Sequence, residues 1–404
     1  MSKKGNVKEK LDRILGKYIT KAPADFGILI LTLILIVFGV VMVFSASFYW
    51  SMDRFGSTYG YLIKGGAYAF VGIIVMMAVS RVDYKILKKY YWYIYGFSIV
   101  LLLLIFTPLG KNTNGATRWL DFGFTIMPGE VAKIAMIIFI AGFLSSRKKD
   151  MNSAKQSTIP ALFSMAIVVG LIMLQPNMST AVTIAAIVIA MMFVAGINLK
   201  HFWPIAVLGG AALFVMVFAG DDNYRVARVM SFRHPFEDIA GDGYQVVQSL
   251  LALGTGGLFG KGLGNSTQKT LYLPEPQNDF ILAIIGEELG FIGVLAMIIV
   301  FALLIWRGIK VAINAPDKFG FLLCAGVMML IGIQLVLNVA IVTSTIPPTG
   351  VALPFVSYGG NATILYCAAM GMVLNVSRQI NQNKRNEMIN KRNKEKVIFN
   401  RGAK

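Results

Sequence analysis

Three carboxylates stand where an apolar chain has least use for them. Asp279 lies in the run PEPQND, immediately before a long apolar stretch that begins at Phe280; Glu287 and Glu288 lie inside that stretch. A carboxylate at membrane depth is costly and marks a functional site by default. The segment from Asp242 to Gly290 that delivers them starts polar, turns glycine-rich at GTGGLFGKGLG (254–264) and ends in the acidic helix. Asp279 has a structural alternative, because an Asp near a helix N-terminus caps orphan N–H groups and meets the helix dipole. The two roles are compatible, since a capping Asp keeps a free carboxylate oxygen. Glu287 and Glu288 follow roughly 12–14 Å further along, at about 1.5 Å per residue. Their structural alternative is pairing with cations of the bundle, for which Lys133 and Lys64 are available.

The glycine run is tempting as a phosphate cradle. It is not a Walker loop, because Lys261 is followed by Gly262 and no strand precedes it. The plainer reading is a bend where backbone approaches backbone; the functional one puts its N–H groups and Lys261 on a pyrophosphate. Arg118 and Trp119 adjoin in the loop NTNGATRWLDFG. Trp119 suits an interfacial anchor, whereas an Arg–Trp pair suits a phosphate and a sugar face. Glu130 and Lys133 are three apart and can pair on one helix face. Asn338 and the run PFVSYGG (Pro354–Gly360), which includes Ser357, read as packing or as a re-entrant wall. His201 and His234 lack partners at metal-ligand spacing. Cys324 and Cys367 sit in apolar runs as small core residues, so no metal site is assigned.

The elements that must hold these groups are membrane helices. The chain has 404 residues, 56% hydrophobic and only 14% charged, well outside soluble proportions. Apolar runs near 20 residues recur along it, which predicts an all-α polytopic membrane protein. Ten spans fit: 26–47, 60–80, 91–109, 128–146, 158–174, 178–196, 200–220, 280–306, 319–345 and 361–377. They give a basic N-terminal tail over 1–25, one membrane domain over 26–377 and a basic C-terminal tail over 378–404. The formal net charge of +18 could suggest nucleic acid, but the basic residues gather in the two tails and in alternate short loops. That is a topology signal and not a nucleic-acid footprint: both tails are expected in the cytoplasm. The opposite face is then built from 110–127, the turn Gln175–Asn177, a long loop over 221–279 and 346–360. In the long loop, helical spacing over Gln245–Leu253 predicts a short amphipathic helix lying at the interface.

At these residues the chain resembles the SEDS family (shape, elongation, division and sporulation), which includes FtsW, RodA and SpoVE. The carriers are GATRWL, MPGEVAK, LQPN, YRVARVMSF, GYQVVQSLLALGTGGLFGKGLGNSTQK, LPEPQNDFILAIIGEELGFIG and PPTGVALPFVSYGGN. They run in order across about residues 26–378. MVFSAS (42–47), the spacing of Arg225 and Arg228, and YLPEPQ look more like the FtsW/SpoVE branch than the RodA branch. The resemblance implies a peptidoglycan glycosyltransferase that polymerises lipid II at the outer face of the bacterial cytoplasmic membrane, in division or sporulation. It also implies a class B penicillin-binding protein as partner, beside other cell-wall synthesis membrane proteins. The family's catalytic aspartate falls on Asp279, its loop tryptophan on Trp119, its acid–lysine pair on Glu130 and Lys133, and its EEL glutamates on Glu287 and Glu288. The chain departs from the family where Asn177 replaces a usual aspartate, where Asn361 and Ala362 replace serines, at Met127 and Gly129, and where Lys64 replaces a common arginine.

Joining two sugars with inversion needs a base for the attacking hydroxyl and positive charge for the departing diphosphate. Asp279 is the expected base. Arg118, Lys133, Arg225, Lys269 and Lys64 are the expected pool for the diphosphate, with or without Mg²⁺ or Mn²⁺. Trp119, Glu130, Glu288 and Ser357 complete the expected substrate contacts. Two other classes stay open: a flippase that moves lipid II without making bonds, and a non-catalytic scaffold that activates a penicillin-binding protein.

Overall fold

A computed structural model describes residues 22–113, 116–123, 125–146, 151, 153–201, 203, 235–236 and 243–402. The expected span 200–220 falls almost wholly outside this set. So do the N-terminal tail up to residue 21, the first part of the 221–279 loop, Arg225, and the loop cations Arg147, Lys148 and Lys149.

The described chain is almost entirely helical. Helix α1 (Phe26–Phe55) starts at Asp25, whose Oδ1 accepts from the Ile28 N–H at 3.0 Å, and stops at Gly56 in the left-handed region. It is followed by α2 (Gly60–Val79) and α3 (Lys85–Leu104). A three-stranded antiparallel sheet comes next: β1 (Gly110–Thr113), β2 (Ala116–Asp121) and β3 (Thr125–Ile126). The chain then continues with α4 (Pro128–Leu144), α5 (Ile159–Met173) and α6 (Met178–Val194). After the undescribed segment come α7 (Tyr244–Gly256), α8 (Ile281–Ile313), α9 (Lys318–Val342) and α10 (Asn361–Gly402).

By length and apolarity, five described segments can cross a membrane: Phe26–Phe55, Gly60–Val79, Ala154–Met173, Ile281–Ile313 and Lys318–Val342. The chain is therefore a multi-pass membrane protein. Helices α4 and α9 form the centre and bury nearly every face. Around them α3 packs on α4, α6 and α8 on α9, α1 on α8, and α10 on α2. Outward-facing apolar side chains such as Phe26, Phe70, Phe97 and Trp306 leave the rim of the bundle greasy, as lipid contact requires.

The all-α expectation needs three corrections. The loop over 110–127 is a small sheet. Helix α8 is not continuous: Gly290 has φ +68° and ψ −172°, so a short buried helix over 281–289 meets a long one over 291–313 at a break. Unbroken, 33 residues would reach about 50 Å, well beyond a hydrocarbon core of about 30 Å. The basic C-terminal segment is not loose, because α10 runs unbroken through it for 42 residues. The amphipathic helix expected over Gln245–Leu253 is present as α7 with wider bounds, Tyr244–Gly256. It packs on α8, and its Ser249 Oγ donates to the Val342 carbonyl at 2.9 Å on α9.

The glycine-rich run explains the break. The Lys261 and Gly262 N–H groups donate to the Glu287 and Glu288 carbonyls at 2.9 Å, and the Phe291 N–H donates to the Gly257 carbonyl at 2.9 Å. A β-carbon at Gly260 would come within 2.2 Å of the Glu288 carbonyl oxygen, so only glycine permits this approach. The run clamps backbone to backbone.

Candidate active site

The ends of α1, α4, α6 and α10, together with β2, the loop before α8 and the 346–360 segment, line a cavity of about 550 Å³. Its wall carries three acids, Asp279, Glu275 and Glu130, and four cations, Arg54, Lys111, Arg118 and Lys133.

The sheet delivers two of these cations and the indole. In the β1–β2 register Lys111 stands opposite Trp119, so both come to one rim. Arg118 is anchored by donating from Nη2 to the Pro176 carbonyl in the turn before α6. That turn ends at Asn177, whose Oδ1 accepts from the Thr180 N–H at 3.3 Å. The Asn177 side-chain amide therefore caps α6. Pro128 opens α4, which sets Glu130 in the first turn and Lys133 one turn on. Lys133 Nζ lies 2.7 Å from Glu130 Oε1, and the lysine is only 3% exposed. Tyr366 of α10 closes the group: its hydroxyl donates to Glu130 Oε2 at 3.1 Å and accepts from Lys133 Nζ at 3.4 Å.

Asp279 sits at the end of a turn-rich segment and is held by its backbone. Asn338 Nδ2 donates to the carbonyls of Asp279 and Val351, both at 2.7 Å, tying this loop to the 346–360 segment. The carboxylate does not cap α8. Phe280 occupies the cap position with no side-chain capping bond, and the Asp279 side chain faces Gly350 and the cavity. Burial pushes its pKa up from 3.8 to about 6, with the negative fields of Glu275 and Glu130 helping and Arg118 opposing. A carboxylate so poised takes a proton near neutral pH more readily than an ordinary one.

Arg225 lies outside the described residues, and the other expected residues that are described are not brought to this cavity. Lys269 and Glu288 form a buried pair at 2.7 Å that also engages Ser45. Glu287 is satisfied by Lys261 at 2.6 Å, by Ser266 and by the N–H groups of Thr267 and Gln268. The partners of the two glutamates are thus Lys261 of the glycine-rich run and Lys269 just beyond it, and not Lys133 and Lys64. Lys64 is exposed, with its ammonium 4.1 Å from the centre of the Phe55 ring. The Ser357 hydroxyl is buried and accepts from the Leu353 N–H at 2.8 Å, so it braces the re-entrant wall.

Four contributors were not singled out from sequence: Arg54, Lys111, Glu275 and Tyr366. Arg54 and Lys111 had a signal, as basic residues on the outer side of the predicted topology. Glu275 had one in the PEPQND run that also holds Asp279. Tyr366 had none, since a tyrosine in an apolar span reads as core.

Among the described residues, no three histidine, cysteine or carboxylate groups meet at metal-ligand spacing. Of the acids of the cavity, Glu130 is already paired with Lys133, so the described residues do not form a ready-made divalent site.

Residues 26–382 match the family model described as cell cycle protein, FTSW_RODA_SPOVE. Stage V sporulation protein E of Bacillus subtilis is 40% identical over 360 residues, covering 89% of this chain and 98% of that protein. A Geobacter protein named "Probable peptidoglycan glycosyltransferase FtsW" is 38% identical over 358 residues, covering 88% and 97%. Among solved structures, a chain of a peptidoglycan synthase complex described for its coordination of polymerization and crosslinking superposes with a TM-score of 0.74 at 25% identity, covering 88% of this chain and 98% of that one. The rod shape determining protein RodA of Thermus thermophilus gives 0.64 at 25% identity, covering 88% and 97%. The chain belongs to the FtsW/RodA/SpoVE family.

Proposed function

We propose that this member of the FtsW/RodA/SpoVE family is a peptidoglycan glycosyltransferase that polymerises lipid II, with Asp279 as its general base. The observation that carries the reading is one cavity in which the Asp279 carboxylate faces a rim of fixed cations, Arg54, Lys111, Arg118 and Lys133. A flippase needs a polar path through the full depth of the bundle. Here the second buried acid–base pair, Lys269–Glu288, is locked into the loop clamp.

The chemistry follows from the layout. A sugar hydroxyl of one lipid-linked disaccharide gives its proton to Asp279 as its oxygen attacks the anomeric carbon of a second. The anomeric C–O bond breaks, and the polyprenyl diphosphate leaves with the electron pair. Lys133, fixed by Glu130 and Tyr366, and Arg118, fixed by Pro176, offer preorganised positive charge where negative charge grows. Trp119 offers a flat apolar face to a sugar ring. No step runs through a metal. The diphosphate is itself a ligand for Mg²⁺ or Mn²⁺, and the assay repeated with EDTA and then with either ion restored measures that contribution.

The setting follows the same reading: 26–377 as one membrane domain, the cavity at the outer face of a bacterial cytoplasmic membrane, both tails inside, and a class B penicillin-binding protein as cross-linking partner. Purified protein in detergent, given lipid II with and without that partner, decides the matter. Polymer from the parent and none from Asp279→Asn is the expected result. Equal polymer from both removes Asp279 as base. Activity confined to the partner makes this chain a scaffold.

A further inference from the structure

The Asp279 loop has a second cavity on its other side. It measures about 340 Å³ and is lined by Trp50, Gln245, Pro274, Glu275, Asn278, Asp279 and Phe280. Glu275, Asn278 and Asp279 belong to both cavities, so the expected base sits in the partition between them. The two chambers differ in charge. All four cations named above line the large one, and among the described residues no lysine or arginine lines the small one. The small one offers an indole, two amides and the shared acids. Two polar atoms of its walls, Trp50 Nε1 and Asn278 Oδ1, are buried without a hydrogen-bond partner among the described residues. Buried polar groups are normally paired, so such atoms call for a ligand or water.

We infer that the small cavity is the acceptor subsite, binding the neutral N-acetylated sugar whose hydroxyl attacks, while the large cavity binds the diphosphate-linked donor. This rests on the polymerase reading above and assigns the two substrates within it. The chemistry requires the separation. Inversion needs the attacking oxygen on the face of the anomeric carbon opposite the leaving diphosphate, and the base must touch the attacking side. A carboxylate in the wall between the two chambers meets both conditions. The diphosphate requires cations, which among the described residues only the large chamber has. A sugar without charge requires a flat apolar face and hydrogen-bonding amides, which Trp50, Gln245 and Asn278 provide. The proton leaves the acceptor hydroxyl for Asp279, the new glycosidic C–O bond forms, and the donor's C–O bond to diphosphate breaks.

Two lipid II analogues separate the chambers. Removal of the attacking hydroxyl leaves a molecule that can only donate. Replacement of the anomeric oxygen by carbon leaves one that can only accept. With the pair in detergent, the single coupling product is a lipid-linked tetrasaccharide. Trp50→Ala and Gln245→Ala should each raise KM for the acceptor-only analogue about tenfold and leave KM for the donor-only analogue within about twofold of the parent. Arg118→Ala should show the reverse. An unchanged acceptor KM in both small-cavity variants, or an equal rise for both analogues, overturns the assignment. Trp50→Phe keeps the ring face and loses the N–H, and it serves if Trp50→Ala does not fold. Should the parent make neither tetrasaccharide nor polymer from lipid II, the polymerase reading itself fails. Should it make both while the variants are indistinguishable from it, only the subsite assignment fails.

Discussion

Gly350 lies directly against the Asp279 carboxylate: a β-carbon built on it would stand 2.9 Å from Asp279 Oδ2 and 4.0 Å from Ser179 Oγ. Its φ of +72° is also one that L side chains rarely adopt. The 346–360 segment thus acts as a gauge for the position of the base, and Asn338 fixes the distance by bonding to both loops.

Gly350→Ala therefore displaces the carboxylate without removing it. A misplacement near 1 Å can cost about a hundredfold in rate. We expect kcat to fall by that order while the purified variant stays folded, with a loss in melting temperature corresponding to about 1–3 kcal/mol of backbone strain. Parental turnover from Gly350→Ala would show that the carboxylate has freedom to spare.

The raised pKa of Asp279 makes two pH predictions. As a base it must be ionised, so kcat/KM should rise with pH, bend near pH 6 and level off above. The linkage has the unusual sign for an aspartate. Its folded pKa of about 6 lies above the ordinary 3.8, so its favourable contribution is complete below pH 3.8 and is lost as pH rises through 6. At pH 8 the charged carboxylate costs the fold up to about 3 kcal/mol, at roughly 1.4 kcal/mol per pKa unit. Asp279→Asn should raise the melting temperature at pH 8, leave it unchanged near pH 4, and abolish activity at pH 8, where the parent's base is ionised. A melting temperature that does not move at pH 8 would mean that solvent or a partner already relieves the charge.

Lys133 and Tyr366 can be tested as a unit. Lys133→Met leaves Glu130 facing Tyr366 alone, and removing one preorganised cation typically costs 100- to 1000-fold in kcat. Tyr366→Phe keeps the Glu130–Lys133 pair but drops its brace. It should cost about 1 kcal/mol in stability, and kcat should fall with KM nearly unchanged, because the loss falls on alignment and not on uniform binding. A raised KM with kcat unchanged for Tyr366→Phe would instead make the hydroxyl a uniform binding contact.

Much of this site was legible in the sequence, and the reason is local. Glu130 and Lys133 are one helical turn apart, so spacing alone brings them together. Arg118 and Trp119 are adjacent in the chain and share a strand. Asp279 stood out as a carboxylate at a polar–apolar boundary. What stayed hidden was non-local. The spacing of GTGGLFGKGLG announces a close backbone approach but not its target, which is the break at Gly290 on another element. The break itself is invisible to hydropathy, because apolar residues predominate on both sides of Gly290. The partners of Glu287 and Glu288 followed from that docking and from nothing in their own neighbourhood. Charge type predicted that Lys269 would serve the diphosphate; packing spends it on Glu288 instead.

That last assignment yields the sharpest contrast between structure and sequence. Glu288 is fully buried, and Lys269 Nζ is its cationic partner at 2.7 Å, with Ser45 donating to the same carboxylate. Removing one member strands the other charge, which typically costs about 3–5 kcal/mol. Lys269→Met and Glu288→Gln should therefore each give low yields of folded protein. The double variant carries no stranded charge and should recover much of that loss, giving a coupling of about 1–3 kcal/mol in a thermodynamic cycle. Neither side chain lines the large cavity, so the folded fraction of the double variant should polymerise lipid II within about threefold of the parent. If Lys269 instead neutralised the leaving diphosphate, the double variant would be stable and at least a hundredfold slow. Stability and turnover, measured on the same preparation, therefore separate a clamp that holds the loop from a residue that meets the substrate.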